Sequence, residues 1–110
     1  MNNSPLLISR AEADRILHLD KNTSYKLLPR TAFRGHVSWA DVKGLMRTSA
    51  RNGAEWDGGE LADINEVNFG VPRKSVLRII GGVPHFRLAK KTILVNPGLL
   101  DAIIHGEMAS

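Results

Sequence analysis

The sequence predicts a mainly α-helical chain with small β wings, organised as tandem winged helix-turn-helix units. Three observations predict it. Two capped helical segments lie close together near the N-terminus, a later block repeats their apolar and basic pattern, and a glycine-rich acidic connector separates the two. The chain has 110 residues, which is one domain's worth or two very small ones. It is 43% apolar, enough to collapse around a modest core.

Ser9 is a good N-cap, and Glu12 three residues on completes a capping box. Ala13, Ile16 and Leu17 form an apolar stripe at helical spacing, so Arg10 to Leu17 reads as a helix. His18 sits where the chain must turn. Asp20 is a second N-cap, and a second helix runs from Lys21 to Leu28, where Pro29 stops it. Two short helices joined by about three residues make a helix-turn-helix. A polar stretch from Arg30 to His36 follows, and Ser38 then caps a third helix carrying Val42, Leu45 and Met46.

The second half reads similarly. Leu61 to Phe69 is a weaker helical segment, and Gly70 supplies a turn. Pro72 stands at the start of the helix Arg73 to Ile80, which Gly81-Gly82 ends. His85 to Leu88 and Thr92 to Val95 read as short strands around a Lys90-Lys91 tip, a β-hairpin wing. Asn96-Pro97 caps a last helix, Gly98 to Ile104.

The halves look like two copies of one unit. Leu19 to Leu28 matches Val71 to Ile80 at an offset of 52, and Val37 to Met46 matches Val95 to Ile104 at an offset of 58. The expected division is a first unit over residues 1–50, a linker over 51–60 and a second unit over 61–110. Trp56 is unusual in a linker, and its expected role is to pin that segment onto one half.

Charge follows the same division. The net charge is +4. Residues 1–52 hold nine basic and four acidic side chains, residues 53–66 hold five acidic and no basic ones, and residues 67–110 hold six basic and two acidic ones. Two basic blocks flanking an acidic connector suit a polyanion such as nucleic acid. The plain alternative is a solvated surface with chance asymmetry. There is no cysteine, which excludes disulfides, thiolate metal sites and cysteine nucleophiles. The four histidines show no ligand spacing, so no metal site and no cofactor are expected. No apolar run approaches the roughly 20 residues that span a bilayer, and no secretion signal is evident. A cytoplasmic, nucleoid-associated location without membrane contact is the expectation. No paired carboxylates, phosphate-cradling loop or His-Asp-Ser set stands out, so no catalytic residue and no enzymatic activity are expected.

The run from Ser9 to Leu28, with Tyr25, Lys26, Leu27 and Leu28 near its end, carries a family pattern. So do Val71 to Ile80 and the stretch from Val83-Pro84-His85-Phe86-Arg87 through Ile104. Together they resemble the excisionase-like, MerR-related winged helix-turn-helix family, here in two tandem copies. His18 stands where that family has a turn glycine, the first wing is short, and Asn65 and Asn68 fall near positions where the family is apolar. One half is therefore a candidate for having lost DNA contact and been kept for packing or partner binding.

The second helix of a helix-turn-helix offers its N-terminal residues to base edges in the major groove. The matching positions are Lys21, Asn22 and Thr23 in the first unit and Arg73, Lys74 and Ser75 in the second. Asn22 suits adenine and Arg73 suits guanine. A solvated first turn is the alternative for both. Tyr25, Lys26 and Arg78 lie one turn on, where phosphate contacts set register. Arg87, Lys90 and Lys91 suit the backbone or a minor groove, although a two-lysine tip is also a common solubility device. Arg30 and Arg34 would play the wing's part in the first unit.

The expected partner is double-stranded DNA, with a recombinase or the transcription machinery as a further one. The chain would act as a pseudo-dimeric monomer or a weak homo-oligomer on DNA, its acidic connector bowing away from phosphate. The resemblance implies a recombination directionality factor or a transcription regulator. The alternative is an adaptor that docks a recombinase, transposase or replication partner.

Overall fold

The computed structural model describes residues 5–105. The chain runs β1 (Leu7–Ser9), α1 (Arg10–Leu17), α2 (Lys21–Leu27), β2 (His36–Ser38), α3 (Trp39–Ser49) and β3 (Ala50–Arg51). It continues through β4 (Ala62–Asp63), α4 (Arg73–Ile80), β5 (His85–Ala89), β6 (Thr92–Val95), a 3-10 turn (Pro97–Leu99) and α5 (Leu100–His105). The expectation of a mainly α fold with small wings is overturned. The fold is mixed α/β: of the described residues 43% are helical and 19% are in strands, with antiparallel sheets of two and four strands.

The first helices form where their caps dictate. The Ser9 hydroxyl accepts the Glu12 N–H at 3.1 Å. The Glu12 carboxylate turns to Arg15 instead of completing the box. The Asp20 carboxylate accepts the Thr23 N–H at 2.7 Å and starts α2. Between them His18 takes the left-handed conformation, with φ 55°, and its N–H returns to the Asp14 carbonyl. Asparagine, aspartate and histidine are the non-glycine residues most often found in that geometry. The α1–α2 pair is a helix-turn-helix whose inner faces, Ala13, Ile16, Leu17 and Leu28, are buried.

The second half has no matching pair. Leu61 to Phe69, expected to be helical, holds β4 and a series of turns. Short polar side chains capture the backbone there. Asp63 Oδ1 accepts the Asn65 N–H at 2.9 Å, and Asn68 Oδ1 accepts the Gly70 N–H at 3.0 Å. Such local bonds compete with a helix. Gly70 then closes the segment at φ 78°, and α4 follows without a preceding helix. Tandem helix-turn-helix units are therefore not what the chain forms.

The expected second wing is instead the middle of the four-stranded sheet, in the order β3-β5-β6-β4. On β6, Leu94 enters one core cluster with Phe86 and Leu88, while Ile93 and Val95 enter another with Val76, Ile80 and Ile103. Alternate residues of a strand face opposite ways, so the sheet is buried on both sides. Arg87 and the Lys90-Lys91 tip stay exposed. The first cluster joins Leu17, Val37 and Met46 from the N-terminal elements to these strands.

The connector also packs inward. β3 pairs with β5, Ala50 opposite Phe86. The Trp56 ring lies 5.3 Å from Trp39, and Glu60 meets Arg15 at 2.6 Å. The expected outward bow is absent. The two-stranded ribbon, Leu7 opposite Ser38, had no counterpart in the sequence reading. It makes the repeat legible as topology. β1 pairs with β2 before α3, as β4 pairs with β6 before α5.

Candidate nucleic-acid interface

The α1–α2 pair presents its second helix to solvent. Lys21 and Asn22 are exposed on the first turn of α2. Thr23 is half-buried, and its N–H is taken by the cap. That bond, then the Thr23 hydroxyl and Lys26, hold the Asp20 carboxyl below the usual aspartate range.

One residue that the sequence reading missed fixes α2 against α1. Arg10 is 9% exposed. Its Nη1 donates to the Ser24 carbonyl at 3.1 Å and to Ser24 Oγ at 2.8 Å, and its Nη2 donates to the Leu28 carbonyl at 3.0 Å. Its guanidinium also lies 4.3 Å from the Tyr25 ring centroid. A planar fork can satisfy several acceptors at once, which a lysine cannot. An arginine at the first position of an amphipathic helix carries no marker of burial, so only the fold reveals it.

Tyr25 takes a second cation, Arg30, at 5.3 Å from the ring. Arg10, Tyr25, Arg30, Arg34, Phe33 and His36 line a hollow of about 520 Å³ with no acidic residue on its wall. Tyr25, Lys26, Arg30 and Arg34 are all exposed. Of the predicted first-unit residues, Tyr25, Arg30 and Arg34 thus line one hollow, with Arg30 and Arg34 on a loop where a wing was expected, while Lys21, Asn22, Thr23 and Lys26 lie outside it on α2.

The second group is assembled differently. Arg73, Lys74, Ser75 and Arg78 are exposed on α4, and Arg87, Lys90 and Lys91 are exposed on the β5–β6 hairpin. Asn65 joins the two elements. It accepts from Arg73 Nε and donates to the Lys91 carbonyl. Arg87 Nη2 donates to the Lys90 carbonyl at 3.1 Å. Asn65, noted above as a departure from the family pattern, is therefore the strut that brings α4 to the hairpin tip. No hydrogen bond or ion pair among the described residues connects this group to the α2 group.

Among the described residues, Arg15 is the one lysine or arginine held in an ion pair, so the lack of a pair is common to the predicted contacts and to Arg10, Lys43, Arg47 and Arg51. Among the described residues, the pairs within 4.0 Å are Arg15–Glu12, Arg15–Glu60 and His18–Glu66. None of the ten predicted DNA-contacting lysines and arginines is neutralised by a neighbour. The chain matches no family model, no curated protein and no solved structure. Among the described residues, no helix is long and apolar enough to cross a membrane.

Proposed function

We propose that this chain binds double-stranded DNA, with the start of α2 in the major groove. The observation that carries the reading is the capped α1–turn–α2 pair with Lys21 and Asn22 exposed on its second helix. Asn22 reads a base edge. Lys21, Lys26, Arg30 and Arg34 meet phosphate on either side. Arg73, Lys74, Ser75 and Arg78, with Arg87, Lys90 and Lys91, form a second phosphate-contacting surface, because α4 lacks the supporting helix of a groove reader. The chain then serves as a recombination directionality factor or a transcription regulator, with a recombinase or the transcription machinery as its protein partner.

Fluorescence anisotropy with a mixed-sequence duplex tests this. With about seven phosphate contacts, log affinity falls against log salt with a slope near −6, a loss of about 10³-fold or more between 50 and 200 mM. A flat response refutes duplex binding. Selection from a random pool then gives a motif that Asn22→Ala relaxes at one position.

A second reading, an adaptor for a protein partner, is favoured by one surface. Val71, Ile79 and Ile104 are exposed and line an apolar groove with Phe69, Val76 and Ile103. An adaptor shows little duplex binding even at low salt.

A further inference from the structure

The four histidines have no ligand spacing along the chain, but the fold takes one of them to two carboxylates. A ring nitrogen of His18 and one carboxylate oxygen each from Asp63 and Glu66 lie within 4.8 Å of one another. The first comes from the α1–α2 turn, the second from β4 and the third from the turn that follows it.

The ring's orientation decides what the group can hold. His18 Nε2 lies 2.7 Å from the Leu61 carbonyl oxygen. A carbonyl only accepts, so Nε2 carries the hydrogen. Nδ1 is left 3.2 Å from Glu66 Oε2. In the neutral ring that nitrogen is a lone pair facing a carboxylate, an arrangement with room for a cation between them. A backbone carbonyl on the far ring nitrogen is also the usual support of a metal-bound histidine.

Asp63 makes the second, separate argument. It is 8% exposed. Its Oδ1 takes the Asn65 N–H, while among the described residues Oδ2 has no hydrogen-bond donor and the carboxylate has no lysine or arginine within 4.0 Å. Oδ2 is not fully enclosed, so an incoming cation can reach it. Two carboxylates carry two negative charges, of which a ring proton offsets one and a divalent cation offsets both.

We propose that His18 Nδ1, Asp63 and Glu66 bind one divalent transition-metal cation of the Zn²⁺ class. The imidazole ligand selects against Mg²⁺ and Ca²⁺. Metal–ligand bonds of about 2.0–2.2 Å require the three atoms to draw closer together. Glu66, with its side chain 67% exposed, is free to swing in. Water completes the coordination. The cation pins the turn between α1 and α2 to β4. The inference does not rest on the DNA-binding reading.

The test uses the full chain stripped with EDTA. Calorimetric titration with Zn²⁺ gives one site per chain, and Mg²⁺ gives none. A hundredfold excess of Zn²⁺ over its Kd raises Tm by roughly 10 °C. Nitrogen-15 NMR shows the His18 Nδ1 resonance moving on addition of Zn²⁺ while Nε2 keeps its proton. Glu66→Gln, on an exposed side chain, weakens binding at least tenfold. His18→Asn, which tolerates the left-handed turn, abolishes it. His105→Ala leaves it unchanged. No heat and no Tm shift overturns the proposal, leaving a His18–Glu66 ion pair only. So does Zn²⁺ binding that survives both Glu66→Gln and His18→Asn, which places the ion elsewhere.

Discussion

Replacing Arg10 tests how the helix-turn-helix is held together. Its guanidinium makes three hydrogen bonds across to α2, at 2.8, 3.0 and 3.1 Å, from a site 9% exposed. Hydrogen bonds from a charged donor contribute about 1.5–3 kcal/mol each at most, and such contributions overlap. In Arg10→Ala the Ser24 carbonyl keeps the Leu28 N–H, so its loss is small. Ser24 Oγ and the Leu28 carbonyl lose the partner that satisfied them, and Tyr25 loses a packed cation worth about 1–2 kcal/mol. The expected total is about 3–5 kcal/mol, a large part of the stability of a chain this size. Arg10→Lys keeps the charge and loses the fork, so it falls about midway. Urea unfolding followed by tryptophan fluorescence and by far-UV circular dichroism measures both. A cost below about 1 kcal/mol for the alanine variant, or wild-type stability for the lysine variant, refutes the reasoning.

Three further outcomes follow from the same structure. Ile93→Ala and Leu94→Ala each cost about 2–5 kcal/mol in urea, because adjacent β6 residues enter different core clusters; a solvated wing would leave one of them near zero. Lys90→Ala combined with Lys91→Ala reduces the salt slope of duplex binding by about 2 and weakens all sequences alike. Acid unfolding reports the caps. The Thr23 N–H on Asp20 and the Arg15 guanidinium on Glu12 hold both carboxyls below their usual range. Their contribution is complete above the ordinary carboxyl range and is lost as pH falls through the lowered folded values. Asp20→Asn keeps the cap acceptor without the titration, so it flattens the acid limb of stability against pH.

The helices α1, α2 and α4 could be read from the sequence because their signals are local. Ser9, Asp20 and Pro72 mark starts, and His18, Pro29 and Gly81 mark ends within one turn of the observed boundaries. The misreadings share a cause. A run such as Thr92-Ile93-Leu94-Val95 is a strand under either reading, yet its lack of polar alternation is the mark of a strand covered on both faces. A wing with one wet face would alternate. What covers the second face is α4 and α5, and no local pattern names that partner.

The segment 61–69 shows the same limit from the other side. Its apolar residues Leu61, Ile64 and Val67 keep helical spacing, and that spacing alone favours a helix. Asp63, Asn65 and Asn68 carry the opposite vote through side-chain bonds to backbone, and β4 then gains a ladder with β6 that a helix would forfeit. The same departure puts Asp63 and Glu66 beside His18 and puts Asn65 between Arg73 and Lys91. Both the proposed cation site and the second basic surface therefore exist because this segment is not a helix. A variant that restored helix propensity there, Asn65→Ala with Asn68→Ala, removes the strut and one turn bond. It should lose part of the second surface's phosphate contact while α1 and α2 keep theirs, visible as a smaller salt slope with an unchanged base preference. A base preference that changes with the slope would mean that α4 also reads sequence, against the assignment of base reading to α2 alone.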